Sequence, residues 1–181
     1  MMKALIVYES MFGNTRAIAE AAAAGLRGAG CEADVVQVAQ ADAKIPSDVD
    51  LLLVGAPTHV HGLSRAATRR QAGKAARAEG GTLDLEPHAE ERGVREWLGA
   101  LEAGNGARYA AFDTRLSGPP LFTGRASGRI DGMLRAHGYP RVWAPISFLV
   151  DKQNRLVPGE LERAQEWGKQ LALRIGRSAW V

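Results

Sequence analysis

The stretch KALIVYESMFGNTRAIAEAAAAGL, residues 3–26, narrows the possible folds more than any other part of the chain. Lys3 to Tyr8 is apolar without alternation, the pattern of a strand buried on both faces, as in a parallel sheet. Asn14 to Leu26 sets Ile18, Ala22 and Leu26 on one stripe of a helix, and Gly28 and Gly30 stop it. Only a short polar turn separates the two. A buried strand that passes so directly into a helix is half of a β-α-β unit, and such units build parallel sheets through right-handed crossovers.

The rest of the chain repeats the alternation. Ala33 to Val38, Asp50 to Gly55 and Ala107 to Asp113 read as further strands. Arg141 to Val150 reads as a fifth, with Pro145 pointing to an edge position or a bulge. Helical periods fill the gaps. Val94, Trp97, Leu98 and Leu101 share a face within Glu91–Leu101, and Ile130, Met133 and Leu134 share one within Ala126–His137. A last helix from about Gly159 aligns Leu161, Ala164, Trp167, Leu171 and Ile175. The expected architecture is a single α/β domain over residues 1–181, a parallel sheet with helices on both faces. No internal repeat or linker divides it.

The turn Ser10-Met11-Phe12-Gly13-Asn14-Thr15 is the place for chemistry. The first N–H groups of a helix have no partner within it, and the macrodipole adds partial positive charge there. A phosphate group fits such a place. Ser10, Asn14 and Thr15 can donate to its oxygens, and Gly13 lets the backbone come close. The plainer alternative is an ordinary N-cap by Ser10 or Asn14. The position after the first buried strand of an alternating chain favours a ligand, because open α/β sheets bind at the carboxyl ends of their strands.

IVYESMFGNTRAIAEA resembles the FMN phosphate loop of flavodoxins, with Ile6, Val7, Tyr8, Ser10, Gly13, Thr15 and Ala19 in matching positions. Ala22 departs from the pattern, standing where a branched aliphatic is usual. VGAPTHVHG resembles the family's loop after the third strand, and FDTRLSGPP its loop after the fourth. The second half, with FLVDKQNRLVPGELERAQEWG, looks more like small actinobacterial flavodoxin-domain proteins than like the electron carriers. The resemblance implies a flavodoxin-like three-layer sandwich, a five-stranded sheet of order 2-1-3-4-5, and FMN across the top of strands one and three. Site residues implied are Ser10 to Thr15. Pro57, Thr58, His59, Val60, His61 and Gly62 follow from the second loop. Asp113, Thr114, Arg115 and Gly118 follow from the third.

Two departures bear on function. Electron-carrier flavodoxins are acidic around the flavin and usually sandwich the ring between aromatics. Here the net charge is +3, and neither flavin loop offers Trp or Tyr. At ~0.3 kcal/mol for each of about 31 heavy atoms, FMN binding is worth roughly −9 kcal/mol. A missing aromatic contact removes about 0.5–1.5 kcal/mol more, so micromolar affinity is expected. Arg115 and a protonated histidine near the ring are expected to favour an anionic reduced flavin, giving a less negative potential for full reduction. Asp113 either contacts flavin nitrogens or caps the following turn.

Several other classes are excluded. A net charge of +3 is too mild to argue for nucleic acid. The opening MMKALIVYES is too short an apolar run for a signal peptide or membrane span, and no lipidation signal is seen, so no membrane partner is expected. Cys31 is the lone cysteine, which rules out an internal disulfide and suits a reducing cytoplasm. His59 and His61 lack a third clustered ligand, so no metal is expected. GLRGAG at 25–30 follows a helix rather than a strand, unlike a dinucleotide fingerprint. No Walker loop or nucleophile elbow is present, and no side chain is assigned a catalytic role. His88 and His137 are expected on helix surfaces. Residues 64–86, with Arg65, Arg69, Arg70, Lys74 and Arg77 and almost no large apolar group, read as a solvated helix or mobile loop, or as a lid or docking segment leaning toward an anionic donor or acidic partner. The expected function is an FMN-binding redox protein that carries electrons to an unidentified partner or reduces a small acceptor, as a quinone-type reductase does. The alternative is a flavodoxin-fold scaffold that binds FMN weakly or not at all and serves as an interaction or phosphate-ligand module.

Overall fold

The computed structural model describes residues 1–59, 62–78 and 83–178. Its sheet holds five parallel strands, β1 (Lys3–Tyr8), β2 (Glu32–Gln37), β3 (Leu51–Pro57), β4 (Arg108–Leu116) and β5 (Ile146–Val150), in the order β2-β1-β3-β4-β5. The helices are α1 (Asn14–Gly28), α2 (Ala66–Arg77), α3 (Val94–Ala100), α4 (Pro120–Thr123), α5 (Ala126–Ala136) and α6 (Glu160–Ser178). Register sets Ile6 beside Val35 on one side and Leu53 on the other, so the apolar runs of the central strands meet in the middle of the sheet.

Alternation along each strand feeds two cores. Ile6, Leu53, Ala110 and Phe112 face a layer made by α1 and α6. Val7, Leu52, Val54 and Tyr109 face a layer made by α3 and α5. Trp97 and Trp167 are both buried, one in each layer, as helical spacing predicts. Trp167, Phe112 and Phe148 meet edge-on at centroid distances of 5.8–6.3 Å, the geometry aromatic pairs prefer. Phe112 occupies the room that a side chain at Gly55 would need: a Cβ there would fall 2.0 Å from its ring.

The backbone of Ala22 lies in the α1–α6 contact. A Cβ at Gly168 would lie 2.1 Å from the Ala22 carbonyl oxygen, and one at Gly25 would lie 1.9 Å from that of Gln165. The two helices touch backbone to backbone at these glycines.

Other expectations shift. The fifth strand is shorter than predicted: β5 begins at Ile146, directly after Pro145, and stands at the sheet edge. Proline cannot donate to a ladder, so pairing starts just past it. The helix expected over Glu91–Leu101 starts only at Val94. His88 lies in a turn with φ 61° rather than on a helix. Cys31 is buried just ahead of β2, and burial pushes its thiol pKa up, as suits an inert thiol. Among the described residues no helix is long and apolar enough to cross a membrane.

Candidate functional site

The carboxyl edge of the sheet is where chain direction gathers every loop that follows a strand. β1 leaves it at Tyr8, and the Glu9 N–H donates to the Gly55 carbonyl at 2.9 Å, keeping the backbone in line with β3 for one more residue. Gly13 then takes φ 90°, a left-handed conformation that a side chain would strain. Its N–H donates to Ser10 Oγ at 3.1 Å. That bond tightens the turn without reaching the helix, and no side chain caps α1. The ordinary N-cap is therefore absent. The amides opening α1 at Asn14, Thr15 and Arg16 have no acceptor within the helix, and they carry its partial positive charge.

The hydroxyls around this opening are buried. Ser10 and Thr15 are each 1% exposed. Thr15 Oγ1 lies 2.8 Å from Thr114 Oγ1, which joins the turn after β1 to the end of β4. Asn14 behaves otherwise than expected. Its amide donates to Asn154 O at 2.8 Å and Asn154 Oδ1 at 3.1 Å, so it ties α1 to the loop after β5.

A cavity of about 280 Å³ opens at this edge. Ser10, Met11, Phe12, Asn14 and Thr15 line it from the first loop. Pro57, Thr58 and His59 line it from the second, and Thr114 and Arg115 from the third. Gly13, Gly62, Asp113 and Gly118 do not line it, and Val60 and His61 lie outside the described residues. Leu83 and the post-β5 residues Asp151, Lys152 and Asn154 also line it. Those last three were missed as site residues, although a polar DKQN turn straight after a strand is the signal that places a loop at this edge.

Asp113 resolves toward capping. It is fully buried, and its Oδ2 accepts from the Ser127 N–H at 2.7 Å, while Thr58 Oγ1 accepts from the Ala126 N–H at 3.0 Å. Together they close the N-terminus of α5. Gly62 serves the second loop as a turn: His59 and Gly62 exchange backbone hydrogen bonds at 2.7 and 2.9 Å. Arg115 Nη1 donates to Gly118 O at 2.8 Å and Thr123 Oγ1 at 2.9 Å, which fixes the third loop.

Most of the described part of the basic segment is a solvated helix, with Arg69 and Gly73 its buried residues. α2 spans Ala66–Arg77, and residues 79–82 lie outside the described residues. Arg69 is only 2% exposed. Its Nη1 donates to Ser64 Oγ at 2.8 Å and its Nη2 pairs with Glu96 Oε2 at 3.2 Å. Glu9 is buried close by, accepting from the Val94 N–H at 2.8 Å. A Cβ at Gly93 would come within 2.4 Å of Arg69 Nη1 and 2.7 Å of Glu9 Oε2, so glycine leaves room for both groups. This buried pair of charges acts on His59. Burial pushes its pKa below 6.5; Glu9 opposes the shift and Arg69 adds to it. The shift works against a protonated ring at His59, while His61 lies outside the described residues.

After residue 82 the chain returns to the site. The Glu86 N–H donates to Met11 O at 2.9 Å. The Glu86 carboxylate pairs with Arg16 Nε at 3.1 Å and stands 3.7 Å from where a Gly13 Cβ would be, at the rim of the helix opening.

The model of the flavodoxin family matches residues 6–142. No curated protein sequence matches the chain. Flavodoxin 1 from Bacillus cereus is similar in structure at 19% identity and TM-score 0.64, over 94% of this chain and 97% of that one. A Streptococcus pneumoniae flavodoxin gives 22% identity and TM-score 0.64 over 95% and 99%. Rubredoxin oxygen:oxidoreductase from Desulfovibrio gigas gives 15% identity and TM-score 0.64, with 99% of this chain matched to 37% of that one. At these identities the likeness is one of fold.

Proposed function

The chain belongs to the flavodoxin family, whose members bind FMN, and is an FMN-binding flavodoxin-like redox protein; from this we propose that it carries electrons, with the phosphate of FMN held at the opening of α1. The observation that carries the reading is the uncapped α1 N-terminus at a cavity into which Ser10 and Thr15 are buried. Amides and hydroxyls there are donors, as a phosphate dianion requires. The residues fit the group: Gly13 lets the backbone approach, Arg16 pairs with the Glu86 carboxylate at the rim, and Arg155 pairs with Asp151.

FMN supplies the one- and two-electron chemistry when bound. The chain's residues do the rest. The α1 amides, Ser10 and Thr15 hold the phosphate. Thr58, His59 and Thr114 border the same cavity, and Arg115 and Lys152 bring positive charge to its wall. The lowered pKa of His59 works against a positive charge there, and the bias toward an anionic reduced state is assigned to Arg115 and Lys152. The lone buried Cys31 suits a reducing cytoplasm.

The test is electron delivery. Protein loaded with FMN and reduced anaerobically by light is mixed with ferricyanide, then separately with benzoquinone in the presence of NAD(P)H. Fast one-electron oxidation by ferricyanide with no NAD(P)H-driven turnover supports carriage. NAD(P)H-driven quinone turnover would replace carriage by reductase activity. No quenching of FMN fluorescence on mixing would overturn both.

A further inference from the structure

On the face of the sheet covered by α3 and α5 lies a shallow groove of about 480 Å³, lined by Arg95, Gly128, Arg129, Gly132 and Met133. Gly128 and Gly132 stand one turn apart on α5, and nothing lies within 4 Å of where their Cβ atoms would be. That strip of the helix is bare backbone open to solvent. Arg95 is held rigidly at the groove's side: Nε donates to Ser64 O at 3.0 Å and Nη2 to Leu63 O at 2.7 Å. Arg65, just ahead of α2, and Arg129 on α5 are close enough to raise the local positive potential, and burial together with these two cations lowers the Arg95 pKa. Glu96 and Glu9 pull the other way, but Glu96 is committed to Arg69 and the Gly93 N–H, and buried Glu9 to the Val94 N–H. Among the described residues none of Arg65, Arg95 and Arg129 forms an ion pair.

We propose that this arginine-walled groove between α3 and α5 is the docking face for an acidic redox protein. Three unpaired cations from three separate elements repel one another, and a surface of carboxylates relieves that repulsion. A small anion is the poorer occupant. The helix amides that would converge on one are already used: Ala126 by Thr58, Ser127 by Asp113, and Val94 by Glu9. What remains is a broad, shallow field of guanidinium groups, which suits a spread of carboxylates. The groove is also joined to the cofactor site. Leu63 and Ser64, gripped by Arg95, follow directly on the turn whose His59 borders the cavity. A partner seated here would stand beside the flavin, so the proposal rests on the FMN reading above for its redox role. In the reaction one electron leaves the partner's reduced iron–sulfur cluster and enters the oxidised flavin.

The probe is an acidic plant-type [2Fe–2S] ferredoxin, with basic cytochrome c as the opposite case. Binding to the FMN-loaded protein and to the apoprotein is measured by titration calorimetry, and electron transfer from the reduced ferredoxin by stopped flow. The variant is Arg65→Glu with Arg129→Glu; Arg95 is kept because it holds Leu63 and Ser64. Lys169→Glu on α6, in the opposite layer, is the control. Expected is ferredoxin binding that weakens at least about tenfold from ~25 to ~250 mM salt, and a similar loss in the double variant with FMN uptake and the control unchanged. Equal ferredoxin binding by wild type and double variant, or preference for cytochrome c, would overturn it. Failed FMN uptake alongside variant-sensitive ferredoxin binding would remove the flavin reading and leave the docking face standing.

Discussion

At His59, burial and the Arg69 guanidinium outweigh the Glu9 carboxylate, and the ring stays uncharged at neutral pH. The sign of the consequence is fixed by linkage. The unfolded ring takes a proton near pH 6.5 and the folded ring only at lower pH. His59 therefore favours the folded state fully above that value, and the contribution is lost as pH falls from it through the folded pKa. The His59→Gln variant should lose less stability than wild type between neutral and mildly acidic pH, measured by urea denaturation. Parallel curves would show a histidine that titrates normally. Arg16 gives a second prediction. Without it the Glu86 carboxylate faces the phosphate unopposed. Arg16→Ala should weaken FMN binding about two- to fivefold, and Glu86→Gln should strengthen it by a similar factor. Shifts of the same sign in both variants would contradict this. Arg115→Gln should make the potential for full reduction more negative by roughly 30–60 mV, a three- to tenfold change in relative affinity for the reduced flavin; an unchanged potential would mean that this cation does not act on the ring. Residue roles were only partly legible in the sequence. Hydroxyls and the glycine of the first turn could be assigned from the chemistry of an open helix end. Arg69 and Asn14 could not, because their partners Glu96 and Asn154 are distant in sequence and only the fold brings them together.

Among the elements, the α1–α6 contact is the tightest point of the packing. Gly168 sits against the Ala22 carbonyl with no room for a methyl group. Gly168→Ala should cost about 1–3 kcal/mol by forcing the helices apart, seen as a lower midpoint in urea with the same slope. A midpoint equal to wild type would show that α6 slides without penalty. The strands were legible because each central one is a continuous apolar run, and the helices because their apolar stripes keep a 3.6 period. The edge was less so. Arg141–Pro145 carries apolar residues yet forms no strand, since Pro145 breaks the ladder at the sheet's last position, where only one neighbour pairs. The close approach of α1 and α6 at Gly25 and Gly168 joins residues far apart in sequence, a relation no local pattern carries.

On the scale of the molecule, chain direction does the organising. Five parallel strands deliver five loops to one edge, and the helix after the first of them opens there without a side-chain cap, where the proposed phosphate would sit. The layer of α1 and α6 stabilises the sheet from one side, while the layer of α3 and α5 carries the arginine-walled groove on the other. The strand order followed from the resemblance of the first loop more than from periodicity, which leaves order open.

The phosphate grip is tested most directly by editing the ligand and leaving the protein intact. FMN and riboflavin differ only by the phosphate, and titration of apoprotein with each, followed by flavin fluorescence, isolates what the α1 amides, Ser10 and Thr15 contribute. Two charge-assisted hydrogen bonds at about 1.5–3 kcal/mol each correspond to at least about a hundredfold preference for FMN. Riboflavin binding as tightly as FMN would contradict a phosphate held at the opening of α1.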